Sequence, residues 1–434
     1  MEVTIDTPRI ERKSSIIPMA IVAGLFFILG FATWLNGSLM PYLELVLTLS
    51  PLQASLILFS FYIAVTVFAI PSAWVIQRVG YKNGMALGMS VMALAAFMFI
   101  PAAKSQWFGL FLLAQFTMGA GQTLLQTAVN PYVVKIGPEE SAAARISIMG
   151  ILNKSAGVFA PMVFAALILG GIASHSTEVP TPAEIDALAN NLIFPYIGMG
   201  LFIGLLALAV KFSPLPELEL EAEHTHATDK NSVFRFPHLI LGVIALFLYV
   251  GVEVIAGDTI GSFGRAIGYE GYATLTSFTM SFMVIGYALG VGLIPRAISQ
   301  QNALLASAVL GIVLSLSIVF GNSESTAFAK LLLVPFGLPE LPNTIFFLAL
   351  LGLANAIVWP AIWPMALTGL GSFTSTGSAL LIMAISGGAL LPVLLGGITM
   401  IDGLSRQTAY IVMTPCYLYI LFYAYKGHKL RSWR

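Results

Sequence analysis

The chain has 434 residues, 58% of them hydrophobic and 9% charged, with a mean hydropathy of +0.91; soluble domains carry roughly a quarter charged residues, so water is not its main solvent. Twenty basic residues balance twenty acidic ones, which removes any charge-based case for a nucleic-acid partner or a strongly acidic substrate. One cysteine, Cys416, excludes an internal disulfide framework and gives no basis for redox chemistry.

A helix that crosses a bilayer needs about 20 mostly apolar residues. Six segments pass that test near 18–46, 52–76, 84–103, 108–134, 146–172 and 193–212, and six more near 238–258, 274–294, 303–321, 344–368, 376–400 and 408–425. The expected fold is an all-α membrane protein of twelve transmembrane helices, spans 1 to 12, in two pseudo-symmetric six-helix halves. Its parts are a tail 1–17, an N-terminal half 18–212, a linker 213–237, a C-terminal half 238–425 and a tail 426–434. Span 1 is too long for a signal-peptide core and lacks a small-residue cleavage site, so it is expected to be retained.

Arg9, Arg12 and Lys13 would share a face with Arg78, Lys82, Lys135, Arg145, Lys211, Lys230, Arg235, Arg296 and the basic C-terminal tail, leaving only Lys104, Arg265, Lys330 and Arg406 opposite. The positive-inside rule then puts both termini in the cytoplasm, which requires an even number of spans. The expected location is the inner (cytoplasmic) membrane of a bacterial-type cell, and the expected state is a monomer. The linker carries Pro214, Pro216 and the run Glu217, Glu219, Glu221, Glu223, and reads as a solvated loop. His224 and His226 within it lack the further ligands a metal site needs.

The halves share an internal repeat. Gly157-Val-Phe-Ala-Pro161 in span 5 matches Gly388-Ala-Leu-Leu-Pro392 in span 11, and Arg78 after span 2 matches Arg296 after span 8. Gln122, Gln126, Asn130 and Pro131 in span 4 match Asn355, Trp359, Trp363 and Pro364 in span 10. Spacing of i, i+4, i+8 puts each set on one helix face. Duplicated halves with a binding site at their interface are a known construction for secondary transporters.

Unpaired amides in hydrocarbon cost several kcal/mol, so Gln122, Gln126 and Asn130 face a watery cavity or another helix; the bland reading is interhelical glue. Trp359 and Trp363 either stack on the apolar faces of a solute ring or sit at the lipid interface. Asn36 and Trp34, beside Gly37 deep in span 1, are secondary candidates. Glu253 and Asp258 in span 7 and Lys154 in span 5 are ionisable groups inside spans, functional by default. The sequence assigns them to cation coupling and leaves open whether Lys154 and Glu253 pair. Asp258 reads equally as a marker of the outer mouth.

No GxxxxGK[ST], HExxH or GxSxG motif occurs, so no catalytic residue, metal or cofactor is expected beyond a coupling ion, and an intramembrane enzyme is disfavoured. Gly119 and Gly121 read as close-packing positions.

The stretch Phe26-Phe-Ile-Leu-Gly-Phe-Ala-Thr-Trp-Leu-Asn-Gly-Ser-Leu-Met-Pro41, the block Leu125-Gln-Thr-Ala-Val-Asn-Pro-Tyr132, the Gly137-Pro-Glu-Glu-Ser141 loop and Ser386-Gly-Gly388 resemble the fucose, glucose/galactose and N-acetylglucosamine symporters of the major facilitator superfamily. Ile76-Gln-Arg-Val-Gly-Tyr-Lys82 is similar to that superfamily's loop between spans 2 and 3, with Gln77 where an Asp is usual. The proton-coupled fucose branch carries acids at the positions that are Gly37 and Gln126 here. Neither residue exchanges a proton, so the resemblance implies the glucose/galactose or N-acetylglucosamine branch. It implies import of a neutral sugar with sodium favoured over protons as the coupling ion. The alternatives are a proton-coupled fucose-type symporter and a proton-driven exporter of small compounds.

Overall fold

The computed structural model describes residues 16–136, 142–169, 182–218, 233–294 and 296–433. Among them helix is the only regular structure, as a bilayer demands of a chain that does not close a barrel. The twelve spans are Ile17–Val46, Pro51–Val79, Tyr81–Ser105, Phe108–Val133, Arg145–Leu167, Asp186–Phe212, Pro237–Asp258, Tyr272–Leu293, Gln300–Phe320, Asn343–Leu367, Thr376–Ile398 and Arg406–Lys429. Most ends fall within a few residues of the sequence expectation. Span 6 starts seven residues early, because the polar helix Pro182–Asn191 runs into Ile193–Phe212 through a single turn. Arg9, Arg12, Lys13, Lys230, Arg434, the Gly137–Ser141 loop and the pair His224 and His226 lie outside the described residues.

Local chemistry sets several boundaries. Ser50 and Gln53 close a reciprocal capping box at the start of span 2, with Pro51 at the first helical position. Span 10 is two helices, Asn343–Asn355 and Val358–Leu367, because Pro360 has no N–H for the Ala356 carbonyl and its ring crowds that group. In span 4, a side chain at Gly119 would meet the Phe61 carbonyl at 2.3 Å and one at Gly121 the Met92 amide at 2.7 Å. Both glycines therefore serve close helix packing, as the sequence reading holds.

Spans 1 to 6 pack chiefly among themselves, as do spans 7 to 12, and the halves meet where span 5 lies on span 8 and span 2 on span 11. Large apolar side chains such as Phe194, Phe212 and Phe320 point outward and stay about 80% exposed, the surface a lipid solvent accepts. With an even number of spans, the start of span 1 at Ile17 and the end of span 12 at Lys429 lie at one face, called the terminal face here. The hydrogen bonds that join the halves include Ser38 Oγ to the Ala273 carbonyl (2.6 Å) and Ser277 Oγ to the Val158 carbonyl (2.7 Å).

Candidate functional site

Lys154 and Glu253 meet between the halves, with Nζ 2.7 Å from Oε1. Each residue is under 10% exposed. Lys154 sits on span 5 one turn before Gly157, and a side chain at Gly157 would collide with Trp34 and Met280. That crowding presses span 5 onto spans 1 and 8. The ammonium also lies over the Trp34 ring, 4.3 Å from its centroid, and an aromatic face adds to the holding of a desolvated cation.

Asp258, at the end of span 7, is fully buried rather than open at a mouth. Its Oδ2 accepts from the Tyr62 hydroxyl of span 2 at 3.1 Å, a second link between the halves. The Gly37 backbone faces the same carboxylate, yet no hydrogen bond closes on Oδ1. Gly37 has no room for an acidic side chain: a Cβ would stand 2.1 Å from Thr276 Oγ1 and 2.9 Å from the Gly257 carbonyl.

Glu253 also faces the Tyr249 hydroxyl on its own helix and Tyr287 of span 8. Tyr249 leads to the aromatic pair: its ring centroid is 6.5 Å from Trp359, which stacks on Trp363 at 5.4 Å. Both indoles are half-buried. The i, i+4 spacing of the repeat thus produces an aromatic ladder continuous with the central ion pair.

The amides divide into two kinds. Gln122 donates to Thr33 Oγ1 at 2.6 Å, Asn36 accepts from Gln115 at 2.8 Å, and Asn355 accepts from the Tyr417 hydroxyl at 2.8 Å. All three are buried and tie helices within their own half together. Each still keeps one polar atom unpaired: Gln122 Oε1, Asn36 Nδ2 and Asn355 Nδ2. Gln126 is half-buried and Asn130 exposed, and neither forms a hydrogen bond to a described residue. They lie towards the terminal face from Gln122, as Trp359 and Trp363 do from Asn355. No hydrogen bond or ring contact joins Gln126 or Asn130 to the aromatic ladder.

Gln115, two turns before Gln122 on the same face, joins this region together with Tyr62, Tyr249 and Glu44, none of them singled out by the sequence. Glu44 is an acid inside span 1 with its side chain 2% exposed, 2.6 Å from Arg406. The rule that singled out Glu253 applies to it equally.

A family model described as the Major Facilitator Superfamily matches residues 22–392. The chain is 32% identical over 410 residues to a Brucella abortus protein named glucose/galactose transporter, covering 93% of this chain and 92% of that one. It is 31% identical over 432 residues to a putative glucose/galactose transporter of Helicobacter pylori, covering 96% and 98%. A crystal structure of the Escherichia coli fucose:proton symporter is similar with a TM-score of 0.68 at 25% identity, over 95% of this chain and 98% of that one.

Proposed function

Because the chain belongs to the Major Facilitator Superfamily, we propose that this multi-pass membrane protein is a cation-coupled symporter importing a neutral hexose by alternating access. Glucose and galactose are the first candidates, after the names of its relatives, and N-acetylglucosamine the next. It works as a monomer in the inner membrane, with the terminal face in the cytoplasm, as a transporter rather than an enzyme.

The observation that carries this reading is the aromatic ladder Tyr249, Trp359, Trp363 running from the ion pair that joins the halves. Indole faces stack on the apolar faces of sugar rings, while Gln126 and Asn130 offer free amides to hydroxyls. Gln122 Oε1, Asn36 Nδ2 and Asn355 Nδ2 are buried polar atoms lacking partners, and a hydroxyl-rich solute supplies such partners. Binding there makes contacts on both halves and so acts on the equilibrium between them.

Lys154, Glu253 and Asp258 support the coupling. With both acids ionised, two carboxylates and one lysine leave one negative charge, which one bound cation, a sodium ion or a proton, neutralises. Glu253 is already countered by Lys154, so Asp258 Oδ1 is the acceptor left for that cation. Sodium is favoured over a proton because Gly37 and Gln126 stand where the fucose branch has its acids.

Proteoliposomes loaded by an inward sodium gradient are expected to accumulate labelled glucose or galactose, with parallel arms for N-acetylglucosamine, fucose and a proton gradient. Accumulation of fucose under protons alone would replace the reading with a fucose-type symporter. Uptake no better than empty vesicles in every arm would end it.

A further inference from the structure

We propose that Glu44, Arg406 and Arg265 form an ionic latch that closes the entrance opposite the terminal face, and that its opening is the gating step which admits solute there. Glu44 belongs to the half-helix Asn36–Val46 of the N-terminal half, whereas both arginines belong to the C-terminal half. Arg406 Nη2 donates to Glu44 Oε1 at 2.6 Å and Nη1 to the Ser262 carbonyl at 2.8 Å. One guanidinium thereby fastens span 12 both to span 1 and to the helix Ile260–Ala266 after span 7. Arg265 Nη2 stands 3.8 Å from Glu44 Oε2, near enough to attract but without a hydrogen bond.

The latch covers a cavity shared by the two halves. Ser55 and Met40 line it from one side, and Thr259, Ser262, Arg406 and Tyr410 from the other. Around it the helices are in close contact. A side chain at Gly396 of span 11 would stand 2.8 Å from Ser55 Oγ, and one at Gly261 2.8 Å from the Gly37 carbonyl. Parting the halves at this end therefore requires Glu44 to leave Arg406.

The burial of the three groups makes the contact reversible. Glu44 is 2% exposed, but the arginine side chains are 22% and 30% exposed. Water already reaches the cationic side and can hydrate the acid once the halves separate, so opening strands no charge in hydrocarbon. The cluster holds two positive charges against one negative. Removing the acid alone turns it into a like-charged pair facing a neutral partner, which removes the attraction between the halves.

The asymmetry of the two arms fixes an order of effects. Glu44→Gln should open the entrance most, Arg406→Gln less, and Arg265→Gln little, since only the Arg406 arm is hydrogen-bonded. The test uses the purified full chain in detergent, where membrane orientation and sugar identity play no part, so its outcome is independent of the transport assay. Ser55→Cys in a Cys416→Ser background places one thiol on the closed cavity, and its rate of maleimide labelling is followed. Labelling should rise roughly tenfold or more in Glu44→Gln, rise less in Arg406→Gln, and stay near the parent rate in Arg265→Gln. Native Cys416, buried in span 12, is the control for unfolding in chains without the Ser55 change, and it should stay protected throughout. Parent-rate labelling of the Ser55 thiol in both Glu44→Gln and Arg406→Gln overturns the proposal. So does acceleration of that thiol and Cys416 together in both variants, because the cluster would then hold the fold rather than the gate.

Discussion

Removing one partner of the Lys154–Glu253 pair leaves a charge buried between the halves, and the size of the effect follows from the geometry. The contact is 2.7 Å and both residues are under 10% exposed. Breaking such a pair from one side costs about 3–5 kcal/mol. In Glu253→Gln the ammonium keeps the Trp34 face at 4.3 Å, which returns about 0.5–2 kcal/mol; in Lys154→Met the Glu253 carboxylate keeps no cation. Lys154→Met is therefore expected to be the worse of the two. The double variant carries neither charge, so its loss should be smaller than the sum of the single losses by roughly 2 kcal/mol or more. Because the pair bridges the halves, about 3 kcal/mol taken from it shifts the balance between joined and parted states by roughly a hundredfold. The four chains are compared by thermal denaturation in detergent and by gradient-driven hexose uptake. Stability should fall in the order parent, double variant, Glu253→Gln, Lys154→Met, with concentrative uptake lost in both single variants. Single variants that melt with the parent, or losses that add in the double variant, would refute a buried ion pair.

Three further outcomes follow from the same geometry. Gln126→Ala and Asn130→Ala should each weaken equilibrium sugar binding by about two- to tenfold, the worth of one neutral hydrogen bond, and unchanged affinity in both removes span 4 from the site. Gly37→Asp should fail to create proton-driven uptake and should reduce the monodisperse yield, because Thr276 and the Gly257 carbonyl occupy the space its side chain needs; a well-folded, proton-coupled variant contradicts this. Asp258→Asn keeps an acceptor for Tyr62 but not the charge, so sugar counterflow should persist while cation-driven accumulation disappears; normal accumulation takes Asp258 out of coupling.

The spans were legible because a bilayer imposes a length and a composition that a linear scan can measure. The repeat was legible because two halves built alike keep the same offsets even where the residue types differ: Gln122, Gln126, Asn130 and Pro131 answer Asn355, Trp359, Trp363 and Pro364 at equal spacing. What a sequence lacks is distance between segments. Lys154 and Glu253 are 99 positions apart and Glu44 and Arg406 are 362 apart, so nothing local announces either pair. Glu44 was hidden further by its place near the end of span 1, where an acid reads as belonging to the interface. The division of the amides was also invisible. Gln122 and Gln126 are one turn apart on one face, yet only Gln122 meets a hydroxyl, because Thr33 of span 1 stands opposite it.

The departures from the fucose branch become coherent once the packing is included. An acid at position 37 is incompatible with the approach of span 1 to Thr276 and Gly257, and Gln126 leaves the span 4 face uncharged. The acids of the central region are instead Glu253 and Asp258, both on span 7 and both partnered from the N-terminal half, by Lys154 and Tyr62 respectively. A cation bound at Asp258 would therefore be felt at once by span 2, which carries Tyr62, and by span 7, which leads through Tyr249 to the indoles. This gives the proposed ion and sugar sites a shared element, span 7, through which occupancy of one changes the geometry of the other. It also makes Tyr62 a sharper probe than the acid itself. Tyr62→Phe leaves every charge in place and removes only the hydroxyl that joins Asp258 to the other half, so it should slow cation-driven uptake without abolishing sugar binding. Uptake at the parent rate in that variant would mean that Asp258 acts without its partner in the N-terminal half, and its coupling to span 2 would fall with it.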